Sequence, residues 1–202
     1  MGLAGPGLVH SRIHGGMVMD KVTGRHTGFA AALLLSAAGA ATAQQDIQVA
    51  RLDQDSPDAK FLEEAVRGDL AEVKMGELAQ RRGQSEGVRE LGAMLVEDHS
   101  KAMKETAELA QDLGVIPPAQ PTAEQTQKHD ALARLSGAEF EREFAAEMVK
   151  AHEEAIAKYE RQAASGDSKI AEHAEDLLPT LREHLATAQR LESGAIHAEP
   201  HD

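Results

Sequence analysis

The sequence predicts an all-α protein built as a four-helix bundle, and three observations carry that reading. Alanine, leucine, glutamate, lysine, arginine and glutamine, the strongest helix formers, dominate its second half. Apolar residues recur there at helical spacing. Aromatic residues make up only 2% of the chain and tryptophan is absent, which disfavours packed sheets rich in aromatic and β-branched side chains.

The elements follow in chain order. Residues 1–18 are glycine-rich and patternless, and are expected to be an extension outside the protein proper, with Met17 or Met19 the better start. Lys21 and Arg25 then precede an apolar run over 29–41, closed by Ala41-Thr42-Ala43. A basic segment, an apolar segment and a small-x-small site make 19–43 a signal peptide, with cleavage expected after Ala43. The run is 13 residues long; a membrane-spanning helix needs about 20, so no transmembrane anchor is expected. The protein is therefore expected to be exported. Residues 44–56 are polar and are expected to form a disordered lead.

The bundle is expected over 57–193. Ser56-Pro57 opens the first helix, a serine cap followed by proline in the first turn. Phe61, Ala65, Gly68, Met75, Gly76 and Ala79 form its stripe, and Gly83 ends it. The second helix starts near Ser85, carries Val88, Leu91, Leu95, Ala102, Thr106, Leu109 and Leu113, and stops at Gly114 before Pro117-Pro118. A connection over about 114–137 holds a short amphipathic piece opened by Thr122-Ala123-Glu124-Gln125, a capping box in form. The third helix, about 138–164, has Phe144, Met148, Ala155, Tyr159 and Ala163 on one face. The fourth runs to about Glu192, with Ile170, Ala174, Leu177, Leu181, Leu185, Ala188 and Leu191 inward and Pro179 inside it, where a kink is expected. Residues 194–202 read as a flexible tail.

Helices of about 25 residues are about 37 Å long. The short turns make two antiparallel hairpins. The middle connection is long enough to cross the bundle, as ferritin-like folds require, or to loop locally; the sequence leaves both open.

Composition excludes several functions. With no cysteine there are no disulfides, thiolate metal sites, cysteine nucleophile or acylated anchor, and the lack of stray thiols suits an oxidising compartment. Acidic residues outnumber basic ones by 34 to 21, which argues against nucleic acid as a partner and gives a surface that weakly attracts cations. No serine–histidine–aspartate signature, phosphate loop or nucleotide motif is present, so the sequence leans away from an enzyme.

Four polar residues interrupt the apolar faces, one on each long helix: Glu72, His99, His152 and His184. Each is near mid-helix, so all four fall within about 6 Å along the bundle axis. Burying such groups is unfavourable unless they are paired or coordinated. Three imidazoles and one carboxylate suit a transition metal ion such as zinc, copper or iron. They equally suit a metal-free network in which Glu72 accepts from imidazole donors. A dinuclear iron centre would call for Glu-x-x-His pairs, but Val96, Val149 and Leu181 stand three residues before the histidines. Asp98 and Glu147 are at the edges of the faces and are left out of the expected ligand set. Met148 and His152 are one turn apart, a spacing copper accepts but core packing explains better. His173 falls at the rim.

These residues also carry a resemblance. Residues 61–65 (Phe-Leu-Glu-Glu-Ala) and 71–79, with Glu72, look like the opening of the bacterial exported family called domain of unknown function 4142. Met94-Leu95-Val96-Glu97-Asp98-His99-Ser100-Lys101 resembles its second-helix signature, residues 140–152 its third, and Leu178-Pro179 with His184-Leu185 its fourth. Phe140-Glu141 and Phe144 stand where the family often has Phe-Asp and a tyrosine. The resemblance spans about 57–191. It implies a ferritin-like bundle in the periplasm or at the outer membrane, with family histidines at His99, His152 and His184 and a glutamate at Glu72, and no settled activity.

Three functions are therefore open: a metal- or cofactor-binding bundle, a structural or stress-related module whose polar layer sets helix register, and a redox enzyme, which would need an open coordination position and a channel. A homodimer is compatible with the bundle, though no uncovered apolar stripe compels it; no protein partner is indicated.

Overall fold

Hydroxyl side chains open the helices. The computed structural model describes residues 51–166 and 168–194, all within one compact unit. Its helices are α1 (Pro57–Arg82), α2 (Glu86–Asp112), α3 (Ala123–Leu132), α4 (Gly137–Ala163) and α5 (Lys169–Glu192), with no strand among the described residues. Ser56, Ser85, Thr122 and Ser168 each accept the backbone N–H three residues on, and Thr122 and Gln125 complete the expected capping box. Gly114 closes α2 at φ 78°, where a left-handed residue is needed, and the Val115 N–H then reaches the Ala110 carbonyl at 2.8 Å. Pro179 lies inside α5, which remains one helix.

Two apolar clusters set the topology. One joins Met75 and Leu78 of α1, Leu91 and Leu95 of α2, Phe140 and Phe144 of α4, and Ala188 and Leu191 of α5. The other joins Phe61 and Leu62, Ala110, Tyr159, and Ile170 and Leu178. The C-terminal half of α1 thus lies level with the N-terminal half of α4. α1 and α4 are antiparallel, and α1 and α5 run the same way. The connection after α2 consequently travels the length of the bundle, carrying α3 as it goes. This is the long crossover of a ferritin-like bundle, which settles the alternative the sequence left open.

The helix pairs differ in closeness. A Cβ built on Gly76 would stand 2.6 Å from the Gly92 carbonyl oxygen, and one on Gly92 would stand 2.7 Å from that of Gly76. α1 and α2 therefore touch backbone to backbone. α1 and α4 touch far less, and α3 lies along their seam. Lys128 Nζ holds it to Glu147 Oε1 at 2.9 Å.

Some inward positions differ from the expected stripes. Gly68, Leu177 and Leu185 are half-buried, whereas Leu62, Val66 and Leu178 are buried. The buried face is broader than a single line of residues, as in most globular helices.

The expected extension, signal peptide and residues 44–50 of the lead lie outside the described residues, as do 195–202. Residues of the lead nearer the bundle are held to the end of α2: Leu52 N–H donates to the Leu113 carbonyl at 2.9 Å and Gln54 to that of Gly114 at 3.0 Å. Among the described residues no helix is long and apolar enough to cross a membrane.

Candidate metal centre

Between the two apolar clusters lies a polar layer. α2 supplies His99, α4 His152 and α5 His184, and they are 5%, 1% and 0% exposed. One ring nitrogen from each falls within 4.8 Å of the other two. The three histidines expected from the sequence are thus brought together.

Each ring is oriented by a bond on its far side. His99 Nδ1–H donates to Asp69 Oδ1 at 2.8 Å. His152 Nδ1–H donates to the Met148 carbonyl at 2.9 Å, one turn back on its own helix. His184 Nε2–H donates to Asp98 Oδ2 at 2.9 Å. These acceptors fix the tautomers of neutral rings, leaving lone pairs on His99 Nε2, His152 Nε2 and His184 Nδ1. His99 Nε2 is buried and has no hydrogen-bond partner. His152 Nε2 and His184 Nδ1 face each other at 3.3 Å. Two facing lone pairs repel unless a proton or a cation lies between them.

Glu72 stands apart from this group. It lines the same cleft as His99 and His152, but its Oε2 is buried without a partner and it is not in the three-ring cluster. Asp69, three residues earlier on α1, makes the contact with His99 instead. The sequence reading passed over Asp69, although it falls seven residues after Leu62 and three after Val66, on the buried face. Asp98, placed at the edge, reaches His184; Glu147 pairs with Lys128. His173 is half-buried and donates to Thr106 Oγ1 at 2.8 Å, away from the layer.

Burial dominates the electrostatics. It pushes the His152 imidazole down to about 3, helped by the neighbouring His99 and His184 and opposed by the Met148 carbonyl. Burial also lowers His184, against the pull of Asp98. At His99 burial is outweighed by the bond to Asp69 and by the charges of Glu72, Asp69 and Asp98, so this ring is raised and takes up a proton more readily than its neighbours. Burial raises the Asp69 carboxyl despite His99. It lifts Glu72 to about 7, because the enclosed Oε2 outweighs the half-buried state of the residue as a whole.

A cleft of about 540 Å³ opens along the α1–α4 seam. Ala65, Ala71, Met75, Met148, Ala151 and Ala155 form its apolar walls, α3 its rim through Thr122, Gln125 and Lys128, and Asp69, Glu72, His99 and His152 its polar depth. A smaller space of about 50 Å³ reaches His99, Asp69 and Asp98 beside α2 and α5.

Residues 38–191 match the family model described as domain of unknown function (DUF4142). No curated protein matches the chain. Among solved structures the chain is similar to the crystal structure of a DUF305 fragment from Deinococcus radiodurans, at 16% identity over 71% of this chain and 98% of that one, with a TM-score of 0.60. At that identity the likeness concerns the fold alone.

Proposed function

The chain belongs to the domain of unknown function 4142 family, whose description carries no activity, and from the geometry of its polar layer we propose that it binds one transition metal ion through His99, His152 and His184. The observation that carries this reading is the convergence of three imidazole lone pairs, each ring held from behind by an acceptor. Such outer partners are the usual support of a metal-ligating histidine. The orphaned His99 Nε2 is then satisfied. Three nitrogen ligands suit zinc, copper or ferrous iron. Glu72, expected as a fourth ligand, is assigned a place beside the ion rather than on it.

A second reading rests on one distance. At 3.3 Å, a proton shared by His184 and His152 would link Asp98, the two rings and the Met148 carbonyl into a metal-free chain. Such a layer would set helix register only.

Elemental mass spectrometry of protein purified without chelator separates the two. About one ion per chain, lost in His152→Ala, is expected. A protein that holds no metal even after reconstitution, yet melts normally, would leave the hydrogen-bonded layer. We also propose export: N-terminal sequencing of the protein recovered from its native compartment should begin at Gln44.

A further inference from the structure

The cleft has a feature that three histidine ligands do not use. Among the described residues three buried polar atoms lack partners; an ion would satisfy His99 Nε2, but Asp69 Oδ2 and Glu72 Oε2 would remain without one. All three residues line the one cleft along the α1–α4 seam. His99 and His152 also face it, whereas His184 is fully buried behind them. An ion on the three rings would therefore border the large cleft through His99 and His152, while only the small space of about 50 Å³ reaches His99 from the α2 and α5 side. A site closed on all sides would serve structure alone, while one with an open side can admit a ligand.

The chemistry of that ligand follows from the unpartnered oxygens. When ionised, Asp69 and Glu72 offer only acceptor oxygens. Asp69 meets His99 through Oδ1 only, and neither Asp69 Oδ2 nor Glu72 Oε2 is met by a lysine: Lys128 is engaged by Glu147 and Lys158 by Glu64. Alanine and methionine side chains make up the apolar part of the walls, with Lys128, Glu147, Lys158 and Arg161 among the charged residues that also line the cleft. A buried acceptor flanked by apolar walls favours a small molecule with a proton to give.

We propose, building on the metal-binding reading, that the cleft admits a small protic molecule, water in the resting protein, to the open side of the ion, and that Glu72 Oε2 accepts its hydrogen bond. Glu72 is then a positioning residue and not a metal ligand. Its carboxylate repels small anions competing for the same place.

Cobalt(II) reports on this directly, because its visible spectrum changes with the ligands around it. The full chain is loaded with cobalt(II) at pH 8 and titrated with sodium azide. The same is done for Glu72→Gln, which keeps the shape and removes the charge, and for Ala151→Phe, which fills the cleft. Wild type should bind one cobalt, and azide should shift its spectrum. Glu72→Gln should keep the cobalt and bind azide about tenfold more tightly, one charge repulsion fewer at short range. Ala151→Phe should keep the cobalt and lose the azide response, which preserves the test if Glu72→Gln fails to fold. A cobalt spectrum indifferent to azide in all three proteins would overturn the proposal while leaving the metal site intact. So would loss of cobalt in a folded Glu72→Gln, which would make Glu72 a ligand. Failure of wild type to bind cobalt at all would instead remove the metal-binding reading on which this one stands.

Discussion

The second rank of residues decides what the histidines can do. Asp69 holds His99 Nδ1 at 2.8 Å and so keeps Nε2 free for an ion. Asp69→Asn can present its amide to the same nitrogen and favour the wrong tautomer. Its metal affinity should fall about 10- to 100-fold, read by competition with a chromogenic chelator; an unchanged affinity would mean His99 does not ligate. Glu72 gives a second prediction, made on the metal-free protein. Its carboxyl is raised by burial from 4.5 to about 7. Between those values the folded protein holds a proton that the unfolded chain has released, so Glu72 contributes stability at low pH that is lost as pH rises through about 7. Glu72→Gln escapes that loss. Its melting temperature relative to wild type should climb from pH 4.5 to 7 and level off above; a flat difference would show that Oε2 is solvated. His152 works in the other direction. Its folded value of about 3 lies below that of an exposed histidine, so its contribution is complete above about 6.5 and declines as pH falls. Much of this layer was legible in the sequence: a histidine at mid-helix between leucines stands out against its stripe. Asp69 was not, because a line drawn through Phe61, Ala65 and Gly68 runs along one edge of a buried face that also includes Leu62 and Val66. Aspartate reads as surface until the ring it meets is known, and that ring lies on another helix.

At the scale of the element, helix ends were readable because local chemistry makes them: Ser56, Ser85 and Thr122 satisfy N–H groups in their own first turns. Helix closeness was not, since it depends on which glycines meet. Gly76 and Gly92 let α1 and α2 approach until carbonyl and α-carbon touch. Gly76→Ala gains helix propensity, about 1 kcal/mol in isolation. It also drives a methyl group to 2.6 Å from a backbone oxygen that cannot swing aside. Overpacking of this kind costs about 1–3 kcal/mol, so net destabilisation is expected in urea titrations. A variant more stable than wild type would show that the two helices can part without loss.

For the whole molecule, the crossover was beyond the reach of sequence because a connection of about 23 residues fits either route. What decides it is the pairing of Met75 and Leu78 with Phe140 and Phe144 at one end of the bundle, a contact no local pattern announces. The fold also sets how an ion would act on stability. The three rings lie on α2, α4 and α5, so one ion would tie the two hairpins together. At a free concentration 100-fold above its dissociation constant it adds about 2.7 kcal/mol, or about 8 °C in melting temperature for a domain of this size. Because a ligating imidazole must be neutral, the shift should vanish as pH falls through the ordinary histidine range, about 6. A shift undiminished at pH 4 would count against histidine ligation.

The crossover also orders events in time. His152 and His184 are 32 residues apart on one hairpin, whereas His184 and Asp98 are separated by 86 and belong to different hairpins. Closing a longer loop loses more chain entropy, and contacts between distant segments slow folding. Each hairpin can zip from its own turn, but neither holds more than two of the three rings. The triad exists only after the hairpins have docked, so a chain that stalls with one of them misplaced offers an ion a pair of rings or a single one. Metal capture at this layer would then serve as proof that folding is complete.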